Sequence, residues 1–110
     1  MSDENGFINF KEDTLKSLNY YKKSKDDVVF VTDGKKYCTF DDFLKNIGNY
    51  KYDDNWCGPY INLNLKIVGR DWWLERYEFD GSECWKFKTT PTQPEIECSS
   101  IKWKCNWNFN

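Results

Sequence analysis

Residues Tyr60–Thr89, YINLNLKIVGRDWWLERYEFDGSECWKFKT, decide the fold. From Tyr60 the pattern has period two, with Ile61, Leu63, Leu65 and Ile67 on one side and Asn62, Asn64 and Lys66 on the other. That alternation predicts a strand with one buried face. Gly69-Arg70 suits a type II′ turn and Asp80-Gly81 a type I′ turn, so Tyr60–Val68, Asp71–Phe79 and Ser82–Thr89 are predicted to form a three-stranded antiparallel meander. Counting outward from those turns sets Val68 against Asp71, Phe79 against Ser82, Leu65 against Leu74 and Leu74 against Phe87. Ile67, Trp72 and Trp85 fall on the same face. Both turns therefore agree on which side is apolar, and a slip of one residue would invert every side chain.

Upstream, Val28–Thr32 is β-branched and aromatic, and Lys35–Cys38 returns after Asp33-Gly34, a second hairpin. Two helices are predicted. Lys11–Lys23 carries Leu15, Leu18 and Tyr21 at helical spacing, with acids early and lysines late. Thr39 reads as the N-cap of the other, with Phe40, Phe43, Leu44 and Ile47 forming its apolar stripe and Gly48 its stop. Asn49–Pro59 is a long loop rich in rings and turn residues. Downstream, Thr90–Pro94 ends the meander. The last ten residues alternate again, with Ile101, Trp103, Cys105, Trp107 and Phe109 on one side, predicting a C-terminal strand whose apolar edge could pair with a second copy.

The expectation is one α+β domain over residues 10–110 after a fraying segment 1–9: two helices and an antiparallel sheet of about five or six strands. With 110 residues, folding can bury about two thirds of the chain's surface. Only 39% of residues are hydrophobic but 19% are aromatic, so a few large rings must supply most of the core. The net charge of −2 argues against binding nucleic acid through bulk positive charge. No His is present, which removes the commonest general base and metal ligand. Cys38, Cys57, Cys84, Cys98 and Cys105 contain no C-x-x-C pair and read as reduced thiols serving as small hydrophobes. No cofactor and no metal are expected. Neither a membrane span nor a secretory leader is evident, so a cytoplasmic location is expected.

The second face of the meander holds the candidate site. The Gly69-Arg70 and Asp80-Gly81 turns set Trp73 between Lys66 and Lys88, Glu75 between Asn64 and Lys86, and Tyr77 between Asn62 and Cys84. A Trp between two lysines can be held by cation–π contacts, and exposed ordered rings dominate binding at protein interfaces. Alternatively, the first helix or the C-terminal strand covers this face and makes it a second small core. Asp53, Asp54 and Trp56 in the long loop could add acidic and aromatic contacts to a partner. Arg76, opposite Leu63 and Trp85 on the apolar face, reads as a buried cation paired with carboxylates. Glu78 and Glu83 face each other, yet they flank a tight turn where solvent relaxes the repulsion that an acid–base pair would need.

The run Asp71–Pro91, DWWLERYEFDGSECWKFKTTP, resembles the core of small proteins carried by phages and prophages of AT-rich Gram-positive bacteria. The resemblance spans residues 28–94, and Cys84 departs from it where those proteins carry an aromatic residue. It implies a protein that inhibits host defence, anti-CRISPR proteins included, by contact with a protein partner rather than by catalysis. A nucleic-acid-binding accessory protein and a self-assembling phage component are the rival expectations.

Overall fold

The computed structural model describes residues 7–53, 59–102, 104 and 105. It is an α+β chain with two helices, a five-stranded antiparallel sheet and a two-stranded ladder. In order come β1 (Phe7–Asn9), α1 (Phe10–Tyr20), β2 (Phe30–Thr32), β3 (Tyr37–Cys38), α2 (Phe40–Ile47), β4 (Lys51–Asp53), β5 (Lys66–Val68), β6 (Trp72–Phe79) and β7 (Ser82–Thr89). The large sheet runs β3-β2-β5-β6-β7, and β1 pairs with β4.

Segment 7–9, expected to fray, forms β1 because it has a ladder partner: Ile8 faces Tyr52, and Phe10 N–H donates to the Tyr50 carbonyl at 2.9 Å. Asn9 caps α1 through its side-chain oxygen, which accepts from Glu12 N–H at 3.0 Å. The buried stripe of α1 is Phe10, Thr14 and Leu18, while Leu15 is exposed. Thr14 is tolerated inside because its hydroxyl donates to the Phe10 carbonyl and accepts from Trp85 Nε1 at 3.0 Å. In α2 the expected Thr39 cap is present, accepting from Asp42 N–H, and Gly48 ends the helix at φ +52°.

The β6–β7 hairpin has the expected register, with Phe79 facing Ser82 and Leu74 facing Phe87. Asp80 and Gly81 both have positive φ, as a type I′ turn requires. The β5–β6 connection differs. Gly69 N–H donates to the Trp72 carbonyl, so Arg70-Asp71 is the turn, and Ile67 rather than Leu65 faces Leu74. The reason is steric: a Cβ on Gly69 would lie inside the Trp72 indole, so this glycine serves ring packing and has no positive φ. Partners shift by two positions, and the expected faces therefore survive.

The first hairpin moves in the same way. Gly34-Lys35 forms its turn, because Asp33 Oδ1 accepts from Lys35 and Lys36 N–H, both at 2.8 Å. Strand β5 begins only at Lys66, since Asn62 makes a local turn: its side chain accepts from Asn64 N–H and its carbonyl from Leu65 N–H. The expected C-terminal strand is not seen in the described residues 101, 102, 104 and 105, which are exposed and unpaired with any strand; residues 103 and 106–110 lie outside the described residues.

Both helices pack on one face of the large sheet. Phe10 stacks on Trp85 with centroids 5.8 Å apart, and Tyr21 stacks on Phe87 at 4.4 Å. Ile67 and Leu74, both 0% exposed, centre the core, each contributing roughly 1.5–3 kcal/mol of burial.

Candidate site on the outer sheet face

Strand alternation aims Trp72, Leu74 and Arg76 at the helices and Trp73, Glu75 and Tyr77 away from them. Among the described residues no helix covers that outer face. Trp73 is half-buried, Tyr77 is 42% exposed and Tyr37, on β3, is 78% exposed. The first helix therefore does not make this face a second core, and most of the C-terminal strand that could cover it lies outside the described residues.

The register slip alters the expected neighbours. Trp73 lies between Val68 and Lys88, and Glu75 lies between Lys66 and Lys86. Trp73 is consequently not clamped by two lysines. Its Nε1 donates to Glu75 Oε1 at 2.7 Å, and Glu75 Oε2 sits 3.9 Å from Lys88 Nζ. The cation–π contact falls on Tyr77 instead, with Lys86 Nζ 4.3 Å from its ring centroid. Tyr77 faces Cys84 as expected, but Asn62 lies outside the ladder. The two rings are thus held in place by polar neighbours on the same face.

The loop residues do not join this group. Asp53 ends β4, opposite Phe7 in the two-stranded ladder and next to buried Tyr52. Asp54 and Trp56 lie outside the described residues.

The inner face holds the strongest electrostatic feature. Arg76 Nη2 meets Glu83 Oε1 at 3.3 Å, with both side chains fully buried. Glu83 also accepts from the backbone N–H groups of Tyr60 at 2.6 Å and Ile61 at 3.1 Å, tying the 60–61 segment to β7. Arg76 Nη2 donates to the Tyr52 hydroxyl at 3.2 Å, and its guanidinium lies 4.7 Å from the Trp85 ring centroid. Burial pushes the Tyr52 phenol up to about 12, against the opposing pull of Arg76. The predicted burial of Arg76 with a carboxylate is present, although Leu63 is exposed and outside the ladder. The contacts of Tyr52 with Arg76 and of Thr14 with Trp85 join groups 24 and 71 positions apart, and no local pattern marks them.

Glu78 and Glu83 are opposite in register but differently engaged: Glu78 Oε2 accepts from Gly81 N–H at 2.8 Å, closing the turn, and Glu83 serves Arg76. Of the cysteines, Cys38 is partly buried and burial pushes its thiol up, while Cys84, Cys98 and Cys105 are exposed rather than packed. No described helix is long and apolar enough to cross a membrane.

Compared with family models, curated proteins and solved structures, the chain matches none.

Proposed function

We propose that the protein is a non-enzymatic binding module of the phage type, which inhibits a bacterial defence component, a CRISPR effector being the most concrete case, by direct contact through its outer sheet face. The observation that carries this reading is the pair Trp73 and Tyr77 on a face that no described helix covers, one fixed by Glu75 and the other beneath Lys86. Rings held in this way lose little freedom on binding, and Trp and Tyr are enriched among residues that dominate interfaces. The non-enzymatic part is supported by Glu78 and Glu83, which are committed to a turn and to a buried cation.

The test is a plasmid-interference assay in bacteria with an active CRISPR system. The wild-type protein is expected to restore transformation by a targeted plasmid, and the Trp73→Ala, Tyr77→Ala double variant to lose that effect while keeping a cooperative melting transition. Wild type that leaves interference intact across the effector types tried, or a folded double variant as potent as wild type, would sink the proposal.

A further inference from the structure

The charge of the outer face runs against the charge of the chain. At its strand positions Lys66, Lys86 and Lys88 accompany a single carboxylate, Glu75, already engaged by Trp73 and Lys88. That is a formal +2 on a chain of −2, leaving −4 for everything else. Rings are interleaved with these lysines. One row across the strands reads Phe30, Val68, Trp73 and Lys88. The next reads Tyr37, Thr32, Lys66, Glu75 and Lys86, with Tyr77 beyond it on β6. At the β2–β3 end a recess of about 480 Å³ is lined by Phe30, Tyr37, Lys35 and Lys36, so rings and lysines meet there too.

Partly exposed rings beside ammonium groups suit a single nucleic-acid strand. Its bases stack on rings whatever their sequence while its phosphates meet the lysines; a duplex keeps its bases to itself. An acidic protein patch would answer the lysines, whereas a nucleic-acid strand answers lysines and rings together along its length. We infer that the outer face binds single-stranded nucleic acid without sequence preference, Tyr77 and Trp73 stacking with bases and Lys66, Lys86 and Lys88 meeting phosphates. The inference rests on the reading above for the choice of face, and it names the chemistry met there: CRISPR effectors carry both a guide strand and a displaced strand.

The experiment titrates the full-length protein into fluorescein-labelled oligodeoxythymidylate of about 12 nucleotides, with a duplex of equal length alongside, and follows anisotropy. Three phosphate contacts give a log–log salt slope of about −2, so raising salt from about 50 to 200 mM weakens binding about 20-fold. Tyr77→Ala weakens it about 5-fold or more. The Lys86→Ala, Lys88→Ala double variant, at exposed positions, flattens the slope by about 1.4 and serves as the test should Tyr77→Ala fold poorly. No binding up to about 100 µM protein, duplex binding of equal strength, or binding that the folded variants leave unchanged overturns the inference. A protein that ignores the oligonucleotide yet blocks interference also overturns it and leaves the proposed function standing, with a protein surface as the occupant. Oligonucleotide binding without any effect on interference has the opposite meaning.

Discussion

The two faces of β6 are built from neighbouring residues and behave as different materials. Inward, Trp72, Leu74 and Arg76 are buried, and the one charge among them is matched by Glu83 and surrounded by Trp85, Phe10 and Tyr52. Outward, Trp73, Glu75 and Tyr77 keep contact with water, Trp73 bonded to Glu75 and Tyr77 lying beneath Lys86. A buried ion pair is sensitive to the loss of either partner, whereas a solvated network can lose a member at small cost. The inner face is therefore where stability resides, and the outer face is free to serve binding.

The largest break in that comparison is Glu83→Ala. It strips the buried Arg76 guanidinium of its carboxylate and the Tyr60 and Ile61 amides of their acceptor, and urea denaturation should show a loss of about 3–5 kcal/mol. Combining Glu83→Leu with Arg76→Met should recover part of that loss, since the uncompensated charge is then gone. Full retention of stability in Glu83→Ala would mean that the pair is hydrated in solution.

A smaller effect comes from pH. The Tyr52 phenol is raised from its ordinary 10.0 to about 12, so between those values the folded state holds a proton that the unfolded state has released. Its contribution is complete below pH 10 and falls away as pH rises through about 12, by up to about 3 kcal/mol. Denaturation midpoints followed up the alkaline limb should fall more steeply for wild type than for Tyr52→Phe; parallel curves would contradict the burial of the phenol.

The smallest effect sharpens the comparison from the other side. Tyr77→Ala should change stability by no more than about 0.5 kcal/mol, as at other exposed positions. A loss several times larger would show the outer face to be a second core, leaving it unsuited to a docking role.

Much of this arrangement is legible along the chain. The alternation in residues 72–89 predicts which side chains face in, the Asp80-Gly81 turn predicts the β6–β7 register, and Thr39 with Gly48 brackets α2. The candidate rings Trp73 and Tyr77 were readable for the same reason, but their partners were not. Gly69 looks like a turn glycine in isolation and proves to be the floor beneath Trp72, which moves the β5 partners by two positions and takes Lys66 from Trp73 to Glu75. The 60–65 stretch alternates like a strand, yet the Asn62 side chain offers its neighbours a local turn that competes with the ladder.

Sequence by itself determined the α+β class, the two helices and the face on which each β6 and β7 side chain falls, because periodicity and turn chemistry are properties of adjacent residues. Only the tertiary structure decided what those faces meet. The Phe7–Asn9 strand needs β4, the Thr14 hydroxyl needs Trp85 Nε1 from 71 positions away, and Glu83, placed inward by alternation, finds Arg76 and the Tyr60 and Ile61 amides there. Such pairings depend on groups far apart in the chain being brought together, and a local pattern carries no record of them.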